Sequence, residues 1–181
     1  MTTQPTELYC PPREVVARPV TAKDVSRVIK DGQIMFELCS APVGIYRRAF
    51  AIAHPQINSK DPLTFFVTRD QRVIINPVII RHTDALVNDV EGCMTFYMKQ
   101  PIVKGRYYRL ELQYQTLDEH GKLTGPMVWA VKGLEARMVQ HEIDHFNGIY
   151  LYPLSLWDQS LTSPRARATV NLMQPANAIP A

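Results

Sequence analysis

Residues 140 to 148 read QHEIDHFNG, an HExxH pattern inside a stretch of helical character. On a helix with about 3.6 residues per turn, His141 and His145 lie one above the other, so both imidazoles can reach one metal ion. Glu142 then lies beside the metal, where a carboxylate can take a proton from an attacking water and deliver it to the leaving group. The pattern predicts a metal-dependent hydrolase, although so short a motif also occurs by accident in helices that bind no metal.

A third candidate ligand, Cys93, lies upstream in the stretch EGCM at residues 91 to 94. A thiolate and two imidazoles form a sulfur and nitrogen set suited to Zn²⁺ or another late first-row divalent ion, and they leave one coordination position open for water. A purely structural zinc site is the alternative from a different class. Such a site usually has four protein ligands and has no use for Glu142.

The helix that carries the motif is predicted to start near Gly133 and to end before Gly148, a natural C′ glycine. Leu134 and Met138 share one face with the two histidines, so the ligands are expected to continue an apolar stripe and to look into the core. Asp144 lies outside that face. It is interpreted either as a solvent-exposed carboxylate or as a group that supports a metal ligand through a hydrogen bond.

The rest of the chain predicts an α+β fold, with small antiparallel or mixed β-sheets packed around the central metal-binding helix. A first helix is expected from about Thr21 to Ser40, after a capping-box-like start. The pair Asn76-Pro77 is expected to separate two strands. The strand segments predicted from β-rich runs and alternation are residues 65–67, 73–75, 78–80, 107–117 and 127–131.

The composition fits one compact enzyme. A chain of 181 residues with 46% hydrophobic content can bury one core, so residues 1–181 are predicted to form a single domain. From about residue 157 to 181 the sequence becomes polar and rich in Pro and Ala, which predicts a surface tail. The net charge of +3, without a basic run or a long apolar stretch, argues against nucleic-acid binding and a membrane span.

Three cysteines, an odd number spread over the chain, argue against a disulfide framework. Because no apolar signal segment opens the sequence, a reducing compartment and hence a cytoplasmic location are expected. Cys39 is interpreted as a buried apolar residue at the end of a helix, and Cys10 as an inert residue in an N-terminal leader.

Three motifs in the right order and spacing resemble the peptide deformylase family. The family's QHExDHxxG is complete at residues 140–148, and its EGCxS appears as EGCMT at residues 91–95, where Thr keeps the hydroxyl. Its GxGxAAxQ is altered to AFAIAHPQ at residues 49–56, with alanines at both glycine positions and His54 in place of an alanine, while Gln56 is kept. The resemblance covers roughly residues 45 to 152.

Members of this family remove the formyl group from the N-terminal formyl-methionine of new polypeptides, so the resemblance implies the same hydrolysis in protein biosynthesis and N-terminal methionine processing. It implies one divalent metal ion, with Fe²⁺ favoured and Zn²⁺, Ni²⁺ or Co²⁺ as alternatives, held by Cys93 and the two histidines. It assigns the proton shuttle to Glu142, and the oxyanion to the side chain of Gln56 and the backbone N–H of Met94. Glu91 is expected to be structural. The expected partner is an N-formylated peptide, with nascent chains at the ribosome as one possible source.

The candidate substrate-binding residues are Phe50, Ala51, Leu134 and Met138. Ala51 adds a methyl group where the family has glycine, and Phe50 and Met138 are bulky, so the pocket is expected to be narrower and its side-chain preference shifted. The alternative hypothesis is a deformylase-like metalloprotein that acts on another amide. His54 is interpreted as a surface histidine.

Overall fold

The computed structural model describes residues 15–40, 49–58, 60–96 and 102–150. The predicted surface tail at residues 157–181 and Cys10 lie outside the described residues. Within them, no helix is both long and apolar enough to cross a membrane. Short 3-10 turns cover Ala22–Asp24, His54–Gln56 and Met94–Phe96. The regular elements are α1 (Val25–Ser40), α2 (Leu134–Phe146), β1 (Ala51–Ala53), β2 (Phe65–Thr68), β3 (Val73–His82), β4 (Leu86–Glu91), β5 (Ile102–Tyr107), β6 (Arg109–Leu117) and β7 (Leu123–Lys132).

The strands form two antiparallel sheets. The larger sheet has the order β1-β2-β3-β6-β7, and β4 pairs with β5 in a separate two-stranded sheet. Within the described residues, β1 therefore lies at an edge of the larger sheet and pairs only with β2. Two helices together with these sheets confirm the predicted α+β class, including the N-terminal helix.

The two helices pack against opposite faces of the larger sheet. Successive residues of a strand point to opposite faces, so one strand contributes side chains to both packing layers. The residues of β1 and β2 on the α1 side are Ile52, Phe65 and Val67. Those on the α2 side are Ala51, Ala53 and Phe66. Each fully buried Phe stabilises the fold by about 1.5–3 kcal/mol. The helix on this side, α2, carries two of the predicted metal ligands, so this face of the sheet packs next to the candidate metal site.

The predicted break at Asn76-Pro77 is wrong, because β3 continues through this pair. Asn76 has a φ of 50°, and the pairing with β6 is irregular here. Its side-chain oxygen accepts the N–H of Val20 at 2.8 Å, and its amide donates to Gln115 at 2.8 Å. Asn tolerates the left-handed region better than most residues, and these hydrogen bonds hold it there.

The strand predictions differ from the structure in further places, since neither β1 nor most of β5 was predicted. The predicted strand at 107–117 is divided at Tyr108 between β5 and β6, and β7 begins at Leu123, four residues before the predicted start. β4 was not predicted at all. Its residues are exposed except for Glu91, so the strand has no buried apolar face from which alternation could be read.

The metal-binding helix has the predicted ends. α2 starts directly after Gly133, and Gly148 has a φ of 68°. The N–H of Gly148 donates to the carbonyl of His145 at 3.2 Å, and that of Ile149 donates to the carbonyl of Asp144 at 2.9 Å. These two bonds form a Schellman motif, in which the positive φ favours glycine.

Candidate metal centre

The structure brings the three predicted ligands together. The sulfur of Cys93 and one ring nitrogen each from His141 and His145 all lie within 4.8 Å of one another. The distance from Cys93 Sγ to His145 Nε2 is 3.5 Å, and the two imidazole centroids are 4.7 Å apart at an angle of 87°. Cys93 follows the end of β4 by two residues, whereas the histidines are one turn apart on α2. A strand end and a helix face therefore converge on one point.

The donor set fits a divalent metal. One thiolate and two imidazoles are ligands that Zn²⁺, Fe²⁺, Co²⁺ and Ni²⁺ all accept, and three protein ligands leave a position open. His141 uses Nδ1 to contact Glu91 at 3.0 Å, which leaves its Nε2 available for the metal. His145 directs Nε2 toward the sulfur of Cys93. Each of the three residues therefore has one nitrogen or sulfur atom available to bind a shared metal ion.

Glu91 links the ligand histidine to two buried arginines. Its carboxylate accepts hydrogen bonds of 2.8 Å from Nε and Nη2 of Arg106 and from Nη1 of Arg137. It also accepts a hydrogen bond from Nδ1 of His141. Burial raises the pKa of Glu91, but the hydrogen bonds from Arg106 and His141 outweigh it and hold the pKa well below its usual range. The ionised carboxylate thus fixes the orientation of the His141 ring. Sequence reasoning treated Glu91 as structural and missed this contact with a ligand.

The pKa values of the two histidines move in opposite directions. Burial lowers the pKa of His145 well below its ordinary value and the charge of His141 lowers it further, so the imidazole of His145 stays neutral. Burial also lowers the pKa of His141, but hydrogen bonds with Cys93 and Glu91 outweigh it and raise the pKa to about 10. The carboxylates of Glu91 and Glu142 help to raise the pKa of His141, so they favour a positive charge at this position.

Glu142 is buried beside the cluster, next to His141 in α2. Its Oε2 has no hydrogen-bond partner among the residues that the structure describes. Burial raises the pKa of Glu142 to about 7, while the charge of His141 acts in the opposite direction. A carboxylate with such a pKa exists in both protonation states near neutrality, as a group that accepts and returns a proton must.

The side chain of Gln56 also reaches the cluster, at the sulfur of Cys93. Its Oε1 accepts the N–H of Ala53 at 2.8 Å, and its Nε2 donates to Thr95 Oγ1 at 3.0 Å and lies 3.8 Å from the sulfur of Cys93. The amide nitrogen therefore points toward the ligands. Met94 follows Cys93 directly and opens the next 3-10 turn. The oxyanion roles of Gln56 and Met94 stay predictions.

The four predicted substrate-binding residues occupy two different environments. Ala51, which is 6% exposed, belongs to the apolar cluster on the α2 side, and Met138 packs against that cluster. Phe50 is 44% exposed and lies beneath the guanidinium of Arg69 at 4.8 Å. Leu134 is 58% exposed, so the prediction that it faces the core is wrong. It is the first residue of α2, and the buried residues of that helix begin at Ala136. The substrate-binding role of all four stays a prediction.

His54 is not a surface histidine, and that interpretation is wrong. Its side chain is 0% exposed and stacks on Phe65 with ring centroids 4.7 Å apart. The ring nitrogens contact Asp31 at 3.0 Å and the backbone N–H of Leu63 at 2.9 Å. These partners come from distant parts of the chain, so no local pattern could reveal them.

Asp144 and Gln140 make further supporting contacts, whose partners were not predicted. Asp144 pairs with Lys104 at 2.5 Å and with Arg106 at 2.8 Å, so it supports the metal site only indirectly, through Arg106 and Glu91. Gln140 exchanges two hydrogen bonds of 3.0 Å with the backbone of Tyr107, which ties α2 to the end of β5. The motif alone shows that Gln140 is present but not which strand it holds.

The cysteines behave as expected where they are described. Cys39 lies in the last turn of α1 and is buried, which confirms its interpretation as an apolar residue. Burial raises the pKa of its thiol to about 12. Cys39 and Cys93 are both free.

Comparison with known proteins gives one consistent result. The model of the family described as polypeptide deformylase matches residues 16–155. Peptide deformylase 2 of Ralstonia nicotianae is 32% identical over 157 residues, 79% of this chain and 80% of that protein. Peptide deformylase 1 of Nitrosomonas europaea is 42% identical over 86 residues, 48% of this chain and 45% of that protein, less than half of the relative's length. The crystal structure of peptide deformylase from Thermotoga maritima matches 82% of this chain and 97% of its own, with a TM-score of 0.63 and 26% identity.

Proposed function

The chain belongs to the polypeptide deformylase family, and we propose that it hydrolyses the formyl amide at the N-terminus of formyl-methionyl peptides. The observation that carries the proposal is the convergence of the Cys93, His141 and His145 cluster with the Glu142 carboxylate and the Gln56 amide. A structural metal site needs neither of the last two groups.

The metal would be held by Cys93, His141 and His145. A divalent ion in this position supplies Lewis-acid activation of the formyl carbonyl and of the attacking water. Fe²⁺ is the ion we favour on family grounds, and the ligand set also accepts Zn²⁺, Ni²⁺ or Co²⁺.

Glu142 moves the proton. As water attacks the formyl carbon, the carboxylate takes its proton, and the resulting carboxylic acid delivers that proton to the departing amine. Burial raises the pKa of this carboxyl, which favours uptake of the proton by the carboxylate. Burial of the carboxylate also keeps competing solvent away from the transferred proton.

Gln56 and Met94 stabilise the negative charge on the formyl oxygen. The Gln56 amide is already oriented by Ala53 and Thr95 before substrate arrives, so little reorganisation is needed when the charge develops. The backbone N–H of Met94 is the second donor. Losing one such donor typically costs on the order of 10² to 10³ in rate.

The peptide part of the substrate is expected to lie along β1. Among the residues that the structure describes, β1 pairs only with β2, so its other edge can pair with an extended peptide. Ala51 and Met138 lie on the α2 side of that edge and would contact the first side chain of the substrate. The proposal includes nascent chains at the ribosome as substrates. It places the reaction in the cytoplasm, which the two free thiols support.

The test is formate release from formyl-Met-Ala-Ser by protein purified without oxygen, loaded with Fe²⁺ and analysed for metal. Acetyl-Met-Ala-Ser is the matched control, because it differs by one methyl group and yields no formate. We expect formate from the first peptide and no hydrolysis of the second. With full metal occupancy, a failure to release formate from any formyl peptide would reject the proposal in favour of another amide substrate.

A further inference from the structure

The buried imidazole of His54 joins three segments of the chain. Nδ1 accepts the backbone N–H of Leu63 at 2.9 Å, just before β2, and Nε2 lies 3.0 Å from Oδ2 of Asp31 in α1. Since Nδ1 accepts a hydrogen bond, the ring proton is on Nε2 and is donated to Asp31. The ring itself belongs to the 3-10 turn that follows β1. One side chain therefore fixes this turn relative to α1 and to β2.

The same turn carries Gln56. His54 is its first residue and Gln56 its last, and the carbonyl of His54 accepts the N–H groups of Ile57 and Asn58 at 3.0 Å each. The backbone from 54 to 58 is thus a compact unit anchored by the His54 ring. A displacement of that ring would displace the Gln56 amide, whose nitrogen lies 3.8 Å from the Cys93 sulfur.

The anchor continues beyond Asp31 through other charged groups. Arg27 Nε lies 3.4 Å from the same Asp31 oxygen, and Arg27 Nη1 contacts Asp61 at 2.5 Å. Burial lowers the pKa of His54, so the ring acts as a neutral donor at neutral pH. Asp31 is therefore held from two sides, by a charged guanidinium and by the imidazole N–H.

We propose that Asp31 and His54 are positioning residues, which hold the Gln56 amide where the oxyanion forms. The inference rests on the proposed function and assigns a role to a side chain that stands where the family motif has alanine. An alanine at position 54 could not make such a hydrogen bond. In this chain, the hydrogen bond from His54 to Asp31 connects the turn to α1. The residues act through Gln56 and do not touch the substrate.

A double-mutant cycle tests this dependence on Gln56. Asp31→Ala should lower kcat for formyl-Met-Ala-Ser by about tenfold and leave KM nearly unchanged, because the misplaced amide is needed only in the transition state. In a Gln56→Ala background the same substitution should change kcat by less than about twofold, since its mediator is already gone. Asp31→Asn keeps an acceptor for Nε2–H and should retain most of the activity.

Val28→Ala is the matched control for a general loss of stability. Val28 is buried in α1, in the apolar cluster between this helix and the larger sheet, and its side chain has no polar atom to bond the His54 ring. This variant should therefore lower Tm but not kcat. If Asp31→Ala does not fold, Asp31→Ser replaces it, because its shorter side chain cannot span the distance. Equal losses in both backgrounds, no loss in either, or an Asn variant as impaired as the Ala variant would each overturn the proposal.

A second measurement does not depend on activity. In metal-free, ¹⁵N-labelled protein, Asp31→Ala should accelerate hydrogen exchange at the Gln56 side-chain amide, and Val28→Ala should not. Unchanged exchange in Asp31→Ala would contradict the positioning role. If the unsubstituted protein releases no formate, the proposed function fails, while the exchange experiment still decides whether Asp31 and His54 hold Gln56.

Discussion

The metal centre and the turn that carries Gln56 are held in place in different ways. The two ligand histidines are one helical turn apart, and the carboxylate that orients one of them, Glu91, lies two residues before the third ligand. The Gln56 turn depends on Asp31, 23 residues before His54, and on Leu63, nine residues after it. The first region follows the family motif closely, whereas the second departs from it at three positions.

This difference shows which part of the site tolerates substitution. A metal ligand must present one particular atom at one distance, so Cys93 and the histidines have no substitutes of equal chemistry. The turn needs only to place the Gln56 amide, and several sets of contacts can do so. We therefore expect changes at the metal centre to abolish function and changes around the turn to tune it.

The largest effect is expected from Cys93→Ala. It should remove the tightly bound divalent ion, because the thiolate contributes a negative charge that water cannot replace. Metal analysis after gel filtration measures the result. Cys39→Ala is the matched control, since Cys39 is the other buried free thiol of the described residues and should leave the metal content unchanged. Undiminished stoichiometry in Cys93→Ala would show that the ligand assignment is wrong.

Glu142→Gln should separate metal binding from turnover. The amide cannot accept a proton, so formate release should fall by on the order of 10² to 10⁴ while the metal stays bound. Both quantities are measured on one preparation. Glu135→Gln, an exposed glutamate in the first turn of the same helix, should change neither. Full activity in Glu142→Gln would exclude the proton-transfer role.

Glu91→Gln tests whether the support of a ligand matters as much as the ligand itself. It removes the charge that faces His141, Arg106 and Arg137, and metal affinity should fall by about 10- to 100-fold. Competition with a chelator gives the affinity. Asp144→Asn also takes a carboxylate away from Arg106 but not from the histidine, so it should weaken the metal less. An equal loss in both variants would mean that Arg106, and not the orientation of the ring, governs affinity.

The smallest effect is expected in the altered first motif. If the Ala51 methyl narrows the pocket, the unmodified chain should cleave formyl-Met peptides with a higher KM than formyl-Ala peptides. Ala51→Gly should then raise the ratio of kcat/KM for formyl-Met over formyl-Ala peptides by about tenfold. This is the lower end of the selectivity that one methylene group gives in a hydrophobic pocket. Ala49→Gly, on the α1 side of the sheet, should leave the ratio unchanged. Equal or better use of formyl-Met by the unmodified chain would refute the narrowed pocket.

Sequence reasoning succeeded where the determinants are local. The helix that carries the ligands was predicted with both its ends, because the HExxH spacing and the C′ glycine act within a few residues. The three ligands were predicted as a set and lie together in the structure. Local patterns also predicted α1 and parts of β2, β3, β6 and β7, but not β1.

The remaining features depend on contacts between distant residues. Arg106 pairs with Glu91 and Asp144 across separations of 15 and 38 residues, and nothing in its own neighbourhood indicates burial. His54 was misjudged for the same reason, because an isolated histidine becomes a buried one only when a helix and a strand supply both of its partners. Asn76 keeps β3 continuous through bonds to Val20 and Gln115, which no alternation pattern encodes.

Titration of metal-free protein with Fe²⁺ under nitrogen tests the central claim most directly, because it links the metal centre to the reaction in one measurement. Formate release from formyl-Met-Ala-Ser should rise in proportion to added metal, reach a plateau at one ion per chain, and stay absent in the Cys93→Ala protein. Full occupancy by Fe²⁺, and separately by Zn²⁺, Ni²⁺ and Co²⁺, without formate release would contradict the account.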